Sequence, residues 1–130
     1  MIDRKRIAQY LCLIKSYANR SFVISPRKKN MAFLMAYGLS HDDAKHIVLS
    51  LSVAHYSKGP CYDDGDLQRN DVWVFGRFVK IDDRIVEVYI KMVIGRSDEG
   101  LECLCVSFHE AEKPLSYPYG GVDDAPYVLP

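Results

Sequence analysis

The stretch from Asp71 to His109 constrains this chain more than any other. It holds three runs rich in β-branched and aromatic residues, Val72–Ile81, Ile85–Ile94 and Leu101–His109. Asp82-Asp83-Arg84 separates the first two runs, and a Gly/Ser/Asp-containing link separates the last two. Runs of this kind between turn residues predict an antiparallel meander.

The middle run alternates. Val86, Val88, Ile90, Met92 and Ile94 point one way, and Glu87, Tyr89 and Lys91 the other. In the last run, alternation puts Leu104, Val106 and Phe108 on one face and Cys103, Cys105, Ser107 and His109 on the other. A three-residue loop pairs Ile81 with Ile85 and sets Phe78 opposite Val88, Gly76 opposite Ile90 and Val74 opposite Met92. A two-residue loop would set Arg77 against Val88 and mix the faces, which argues for the longer loop. In that register Arg77 faces Tyr89. If Tyr89 pairs with Ser107, Glu87 faces His109. Arg77, Glu87, Tyr89, Lys91 and His109 then gather on the sheet face away from the core.

Helices precede the meander. Ile7, Tyr10, Leu11, Ile14, Tyr17 and Ala18 recur at helical spacing within Asp3–Arg20. Phe22–Ile24 reads as a short extended piece. A second helix ends before Gly38 and starts at Ser25-Pro26 or at Asn30, with Asn30 the better cap. Arg27, Lys28 and Lys29 beside its start form either a phosphate site or, more economically, an ordinary solvated turn. Ser40 caps a third helix with Asp42 and Asp43 in its first turn. His41 and His46 are five apart and read as surface residues. Ser52–Asn70 is a connector whose Asp63-Asp64-Gly65-Asp66 lacks the Gly and Glu positions of a calcium loop. Helices followed by a contiguous antiparallel sheet predict an α+β fold, one domain over residues 1–119 with N-terminal helices packed on one face of the sheet. Residues 120–130 are expected to be loosely ordered.

Charge is balanced overall but divided along the chain. Residues 1–60 carry 10 Lys/Arg against 3 Asp/Glu, and residues 61–130 carry 7 against 14. That division fits a basic contact surface on the helical half, or equally two halves that attract each other. No apolar run approaches the roughly 20 residues of a membrane span, and the N-terminus lacks the apolar core of an export signal. Cys12, Cys61, Cys103 and Cys105 form no Cys-x-x-Cys pair and read as reduced thiols of a cytosolic protein. Cys103 and Cys105 with His109 make an incomplete set for tetrahedral metal. A Cys nucleophile with His109 as base lacks an activating group. No metal or cofactor is expected.

The better constellation is the five-residue face. RNA cleavage without metal needs a base for the 2′-hydroxyl, an acid for the leaving 5′-oxygen and cations for the phosphorane-like charge. His109 and Glu87 suit proton exchange, Arg77 and Lys91 suit phosphate, and Tyr89 suits base stacking. The plainer reading is a solvated sheet face, which carries such residues by default.

Several motifs in order sharpen the choice: Leu51-Ser-Val-Ala-His-Tyr-Ser-Lys-Gly-Pro60, Asp71-Val-Trp-Val-Phe-Gly-Arg77, Val88-Tyr-Ile-Lys91, Val106-Ser-Phe-His-Glu-Ala-Glu-Lys-Pro114 and Tyr117-Pro-Tyr119. Together they resemble a divergent branch of the motility quorum-sensing regulator (MqsR) family of bacterial type II toxins, over about Gly38 to Tyr119. The resemblance implies a RelE-like fold and a cytoplasmic mRNA endoribonuclease that inhibits translation and growth. It also implies a cognate antitoxin, a link to the ribosome and no membrane partner. By motif, Tyr89 takes the place of the family's catalytic Tyr. Lys58 falls one residue beyond its catalytic Lys, with Tyr56 beside it as an RNA-binding residue. The family's Trp-Gln becomes Trp73-Val74, which removes the Gln role, and its Ser-Phe-Lys becomes Ser107-Phe108-His109. The catalytic set is then His109, Tyr89, Glu87 and Arg77, with Lys91, Lys58 and Tyr56 on the RNA. The rival expectation is a non-catalytic or degenerate toxin-fold module that binds another protein.

Overall fold

The computed structural model describes residues 2–62 and 71–130. The acidic run 63–66 lies outside them. Over the described residues the fold is α+β, with three helices and a curled mixed sheet. The helices are α1 (Arg4–Arg20), α2 (Lys28–Tyr37) and α3 (His41–Leu49). The strands are β1 (Phe22–Ile24), β2 (Tyr56–Cys61), β3 (Val72–Ile81), β4 (Arg84–Ser97), β5 (Gly100–Glu110) and β6 (Tyr127–Val128). The sheet order is β1-β5-β4-β3-β2, and β6 also pairs with β3. The β3-β4-β5 meander is antiparallel. β1 runs parallel to β5, and β6 parallel to β3, so the sheet is mixed rather than purely antiparallel.

Each helix follows from its local sequence. Asp3 caps α1 by accepting the Arg6 N–H, and Ile7, Tyr10, Leu11, Ile14 and Ala18 form its buried stripe. Ser40 and Asp43 close a reciprocal capping box on α3. Gly38 ends α2 at φ 61, a left-handed conformation that glycine takes without steric penalty. Asn30 does not cap α2. It is almost fully buried, donating to the Ser25 and Val106 carbonyls and accepting the Phe108 N–H. Its carboxamide has two donors and an acceptor, the set needed to bolt α2 across β1 and β5.

One core cluster joins the stripes of the three helices to Trp73, Phe75, Val79, Val86, Val88, Ile90, Met92, Cys103, Cys105 and Phe108. Tyr10 stacks on Trp73 with centroids 4.0 Å apart.

Two registers differ from expectation. The β3-β4 hairpin turns on Asp82-Asp83 alone, pairing Ile81 with Arg84, Arg77 with Val88 and Gly76 with Tyr89. Asp82 adopts φ 54, and Asp tolerates that left-handed conformation well enough to allow the shorter turn. The core face of β3 is therefore Trp73, Phe75, Arg77, Val79 and Ile81. On β5, Tyr89 pairs with His109 and Lys91 with Ser107, but Met92 pairs with Cys105. The extra residue, Val106, is a β-bulge that inverts the alternation. Cys103 and Cys105 thus share the core with Phe108, while Ser107 and His109 face outward. Val106 joins Val72 and Val93 in a smaller cluster on that outer face.

Residues 120–130 dock instead of trailing. Tyr127 and Val128 pair with Val79 and Lys80, and Tyr127 and Leu129 pack on the main core.

Candidate functional site

The outer face of the sheet holds a groove of about 700 Å³. Its floor is Tyr89, Lys91, Ser107 and His109. One wall is the start of α2, Arg27 to Asn30, and another is the segment Glu112 to Leu115. Lys58 lines it from β2. Among the described residues, six cations, Arg27, Lys28, Lys29, Lys58, Lys91 and Lys113, line the groove beside a single carboxylate, Glu112.

Two bulges build this site. Tyr56 pairs with Phe75 on the core face, and Lys58 pairs with Val74 on the outer face, although the two residues are only two apart. A register shift between them makes that possible. The bulge at Val106 turns Ser107 and His109 outward in the same way.

His109 stacks on Tyr89, with ring centroids 5.4 Å apart and planes within 17°. Its Nδ1 lies 2.9 Å from the Glu110 carbonyl oxygen. A carbonyl only accepts, so Nδ1 carries the proton and donates, leaving Nε2 as the lone-pair nitrogen of the neutral ring. The backbone thus fixes the tautomer and orients the ring.

Of the residues expected to form the site, the groove unites Tyr89, Lys91, His109 and Lys58. Glu87, expected as the acid-base partner of His109, is not among the lining residues. Its carboxylate accepts the Tyr117 hydroxyl at 2.7 Å and the Leu115 N–H at 3.2 Å, and its carbonyl accepts the Ala111 N–H. This carboxylate anchors the segment that forms the groove wall. Burial, with the Glu87 hydrogen bond, pushes the Tyr117 phenol pKa strongly upward. Gly76 makes room for the anchor, because a Cβ there would lie under 3.0 Å from Tyr117 Oη and Leu115 Cδ1.

Arg77, expected as a phosphate clamp, lies on the core face. Nη1 donates to Asp124 Oδ2 and to the Ala125 carbonyl, both at 3.1 Å. Those partners make a largely buried guanidinium tolerable there. Tyr56, expected to bind RNA, is 5% exposed. It packs edge-on against Trp73 and Phe75 and donates to the Gly59 carbonyl. Cys103 and Cys105 face away from His109. Among the described residues, no group of three or more His, Cys, Asp or Glu could hold a metal ion.

The sequence reading did not single out His55 and Asp124. His55 Nδ1 accepts the Ser52 N–H, so Nε2 carries the proton and donates to Asp124 Oδ2 at 2.6 Å. Burial, followed by the Arg77 guanidinium, lowers the His55 pKa below 6.5, against an opposing pull from Asp124. The His55 hydrogen bond is the main cause holding the Asp124 carboxyl below its usual range. Arg77, His55 and Asp124 form a clasp for the C-terminal segment. Nothing in the spacing of 55, 77 and 124 signals it. Ser107, Lys113 and the start of α2 also entered the groove without being counted as site residues. For α2 the signal was present in Arg27-Lys28-Lys29.

The chain matches no family model, no curated protein and no solved structure. Among the described residues, no helix is long and apolar enough to cross a membrane.

Proposed function

We propose that the chain is an RNA-cleaving toxin of a bacterial type II toxin-antitoxin system, acting from the outer groove. The single observation that carries this reading is His109, oriented through Nδ1 and stacked on Tyr89, on the floor of a groove with six cations. RNA supplies its own nucleophile. The 2′-oxygen attacks phosphorus, the P–O5′ bond breaks, and a 2′,3′-cyclic phosphate and a 5′-hydroxyl result. His109 Nε2 takes the 2′-hydroxyl proton and, as the imidazolium, returns it to the leaving 5′-oxygen. Lys58 and Lys91 hold the phosphate and oppose its developing charge. Tyr89 presents a ring for a base.

A RelE-like arrangement, with helices over one sheet face and catalysis on the other, is part of the proposal. It is supported by the shared core of the three helices and the inner strand faces. The ordered motifs support an mRNA substrate and a cognate antitoxin that covers the groove.

One observation favours a non-catalytic binding module instead. Glu87 and Arg77 are both committed elsewhere, and the one carboxylate lining the groove among the described residues, Glu112, is paired with Lys29. Induced expression in a bacterial host separates the two readings. Growth arrest with mRNA fragmentation in the wild type, absent from His109→Ala, is the expected result. Normal growth and intact mRNA with both chains would favour the binding module.

A further inference from the structure

The start of α2 presents a second set of donors, distinct from His109. The first intrahelical bond runs from the Met31 N–H to the Arg27 carbonyl. The N–H groups of Lys28, Lys29 and Asn30 therefore have no intrahelical acceptor, and no side chain caps the helix. The positive end of the helix dipole lies here, beside three cations that all line the groove.

Ser107 lies against the same point. Asn30 bonds to both peptide groups that flank it, the Val106 carbonyl and the Phe108 N–H. Ser107 is only 5% exposed and lines the groove. Its hydroxyl has no hydrogen-bond partner among the described residues. The hydroxyl is not sealed in the interior: it opens on the groove, where a bound group can reach it. Glu112, the carboxylate that lines the groove among the described residues, is engaged with Lys29 at the exposed rim.

We infer that the start of α2 and Ser107 form a phosphate subsite for a terminal phosphate monoester of the bound RNA. Three backbone N–H groups and a hydroxyl match the three unesterified oxygens of a monoester better than the two of a backbone diester. The inference rests on the groove being an RNA site and concerns where the strand end lies.

The test uses the full chain and 2′-deoxy oligonucleotides, which cannot be cleaved. Oligonucleotides with a 5′-phosphate, a 3′-phosphate or only hydroxyl ends are compared, and inorganic phosphate is titrated while the amide signals of Lys28, Lys29 and Asn30 are followed. One phosphorylated end should bind about tenfold tighter than the hydroxyl form. Ser107→Ala should remove most of that preference, while His109→Ala keeps it. Equal binding of all three oligonucleotides overturns the proposal. If inorganic phosphate then still moves the three amides, the site is one for free phosphate and not for an RNA end. Failure of RNA cleavage with the end preference intact would count against the ribonuclease reading alone.

Discussion

In the proposed ribonuclease, His109 and Tyr89 divide the work asked of single residues. His109 has an oriented lone pair, and its replacement by Ala should lower RNA cleavage by about 10²–10⁴-fold. The same change should leave folding stability nearly untouched, because the ring stands on an outer face. In the same proposal Tyr89 acts through its ring. Tyr89→Phe should keep RNA affinity, and Tyr89→Ala should weaken it by about 1–3 kcal/mol, measured by fluorescence anisotropy with an uncleavable strand. Glu87→Gln separates anchoring from proton transfer. It still accepts the Tyr117 hydroxyl, so cleavage should persist, whereas a catalytic carboxylate would be lost.

At the scale of elements, two tethers shape the groove. Asn30 fastens α2 to β5, and Glu87 fastens the segment after β5. Asn30→Ala strands two carbonyls and one N–H, and should cost about 3 kcal/mol in urea unfolding. Gly76→Ala pushes a methyl group into Tyr117 and Leu115. It should cost about 1–3 kcal/mol and widen the groove, so RNA affinity falls along with stability. These elements also show how far the sequence could be read. The strict alternation of β4 exposed Tyr89 and Lys91 correctly. The alternation of β3 did not choose a face, because Val72, Trp73, Val74 and Phe75 are all buried, two on each side. Arg77 was misplaced for that reason. Bulges defeat period-two reading altogether. They put Lys58 across the sheet from Tyr56, and His109 across from Cys105. His109 was expected on the outer face only because two inversions cancelled: the sulfur-bearing face was taken as outward, and the bulge then turned His109 away from it. The anchoring role of Glu87 depends on a partner 30 residues away, a distance at which local patterns carry no information.

Across the whole molecule, the C-terminal segment returns to the sheet and is locked by His55, Asp124 and Arg77. The folded state disfavours the protonated form of His55, so the unfolded chain binds more protons below pH 6.5. The stability that His55 contributes is complete above that pH and is lost as pH falls below it. Asp124 acts in the same direction at lower pH, since its depressed pKa confers stability that fades as the carboxyl protonates. Thermal unfolding from pH 7.5 to pH 5 should show a falling midpoint. His55→Gln should flatten that dependence while lowering stability at neutral pH. The charge division between the halves of the chain has a counterpart in space, with the N-terminal half supplying Arg27, Lys28, Lys29 and Lys58 to the groove. Binding of single-stranded RNA should therefore be steeply salt-dependent, by about 0.7 in the log–log slope for each phosphate contacted.

The most direct test is cleavage of a defined RNA by purified wild-type chain beside His109→Ala, with chelator present and with a 2′-deoxy substitution at the cleaved position as control. The prediction is cleavage by the wild type alone, leaving a 2′,3′-cyclic phosphate, and none at the 2′-deoxy position. Equal cleavage by a folded His109→Ala chain, or cleavage at the 2′-deoxy position, would contradict it.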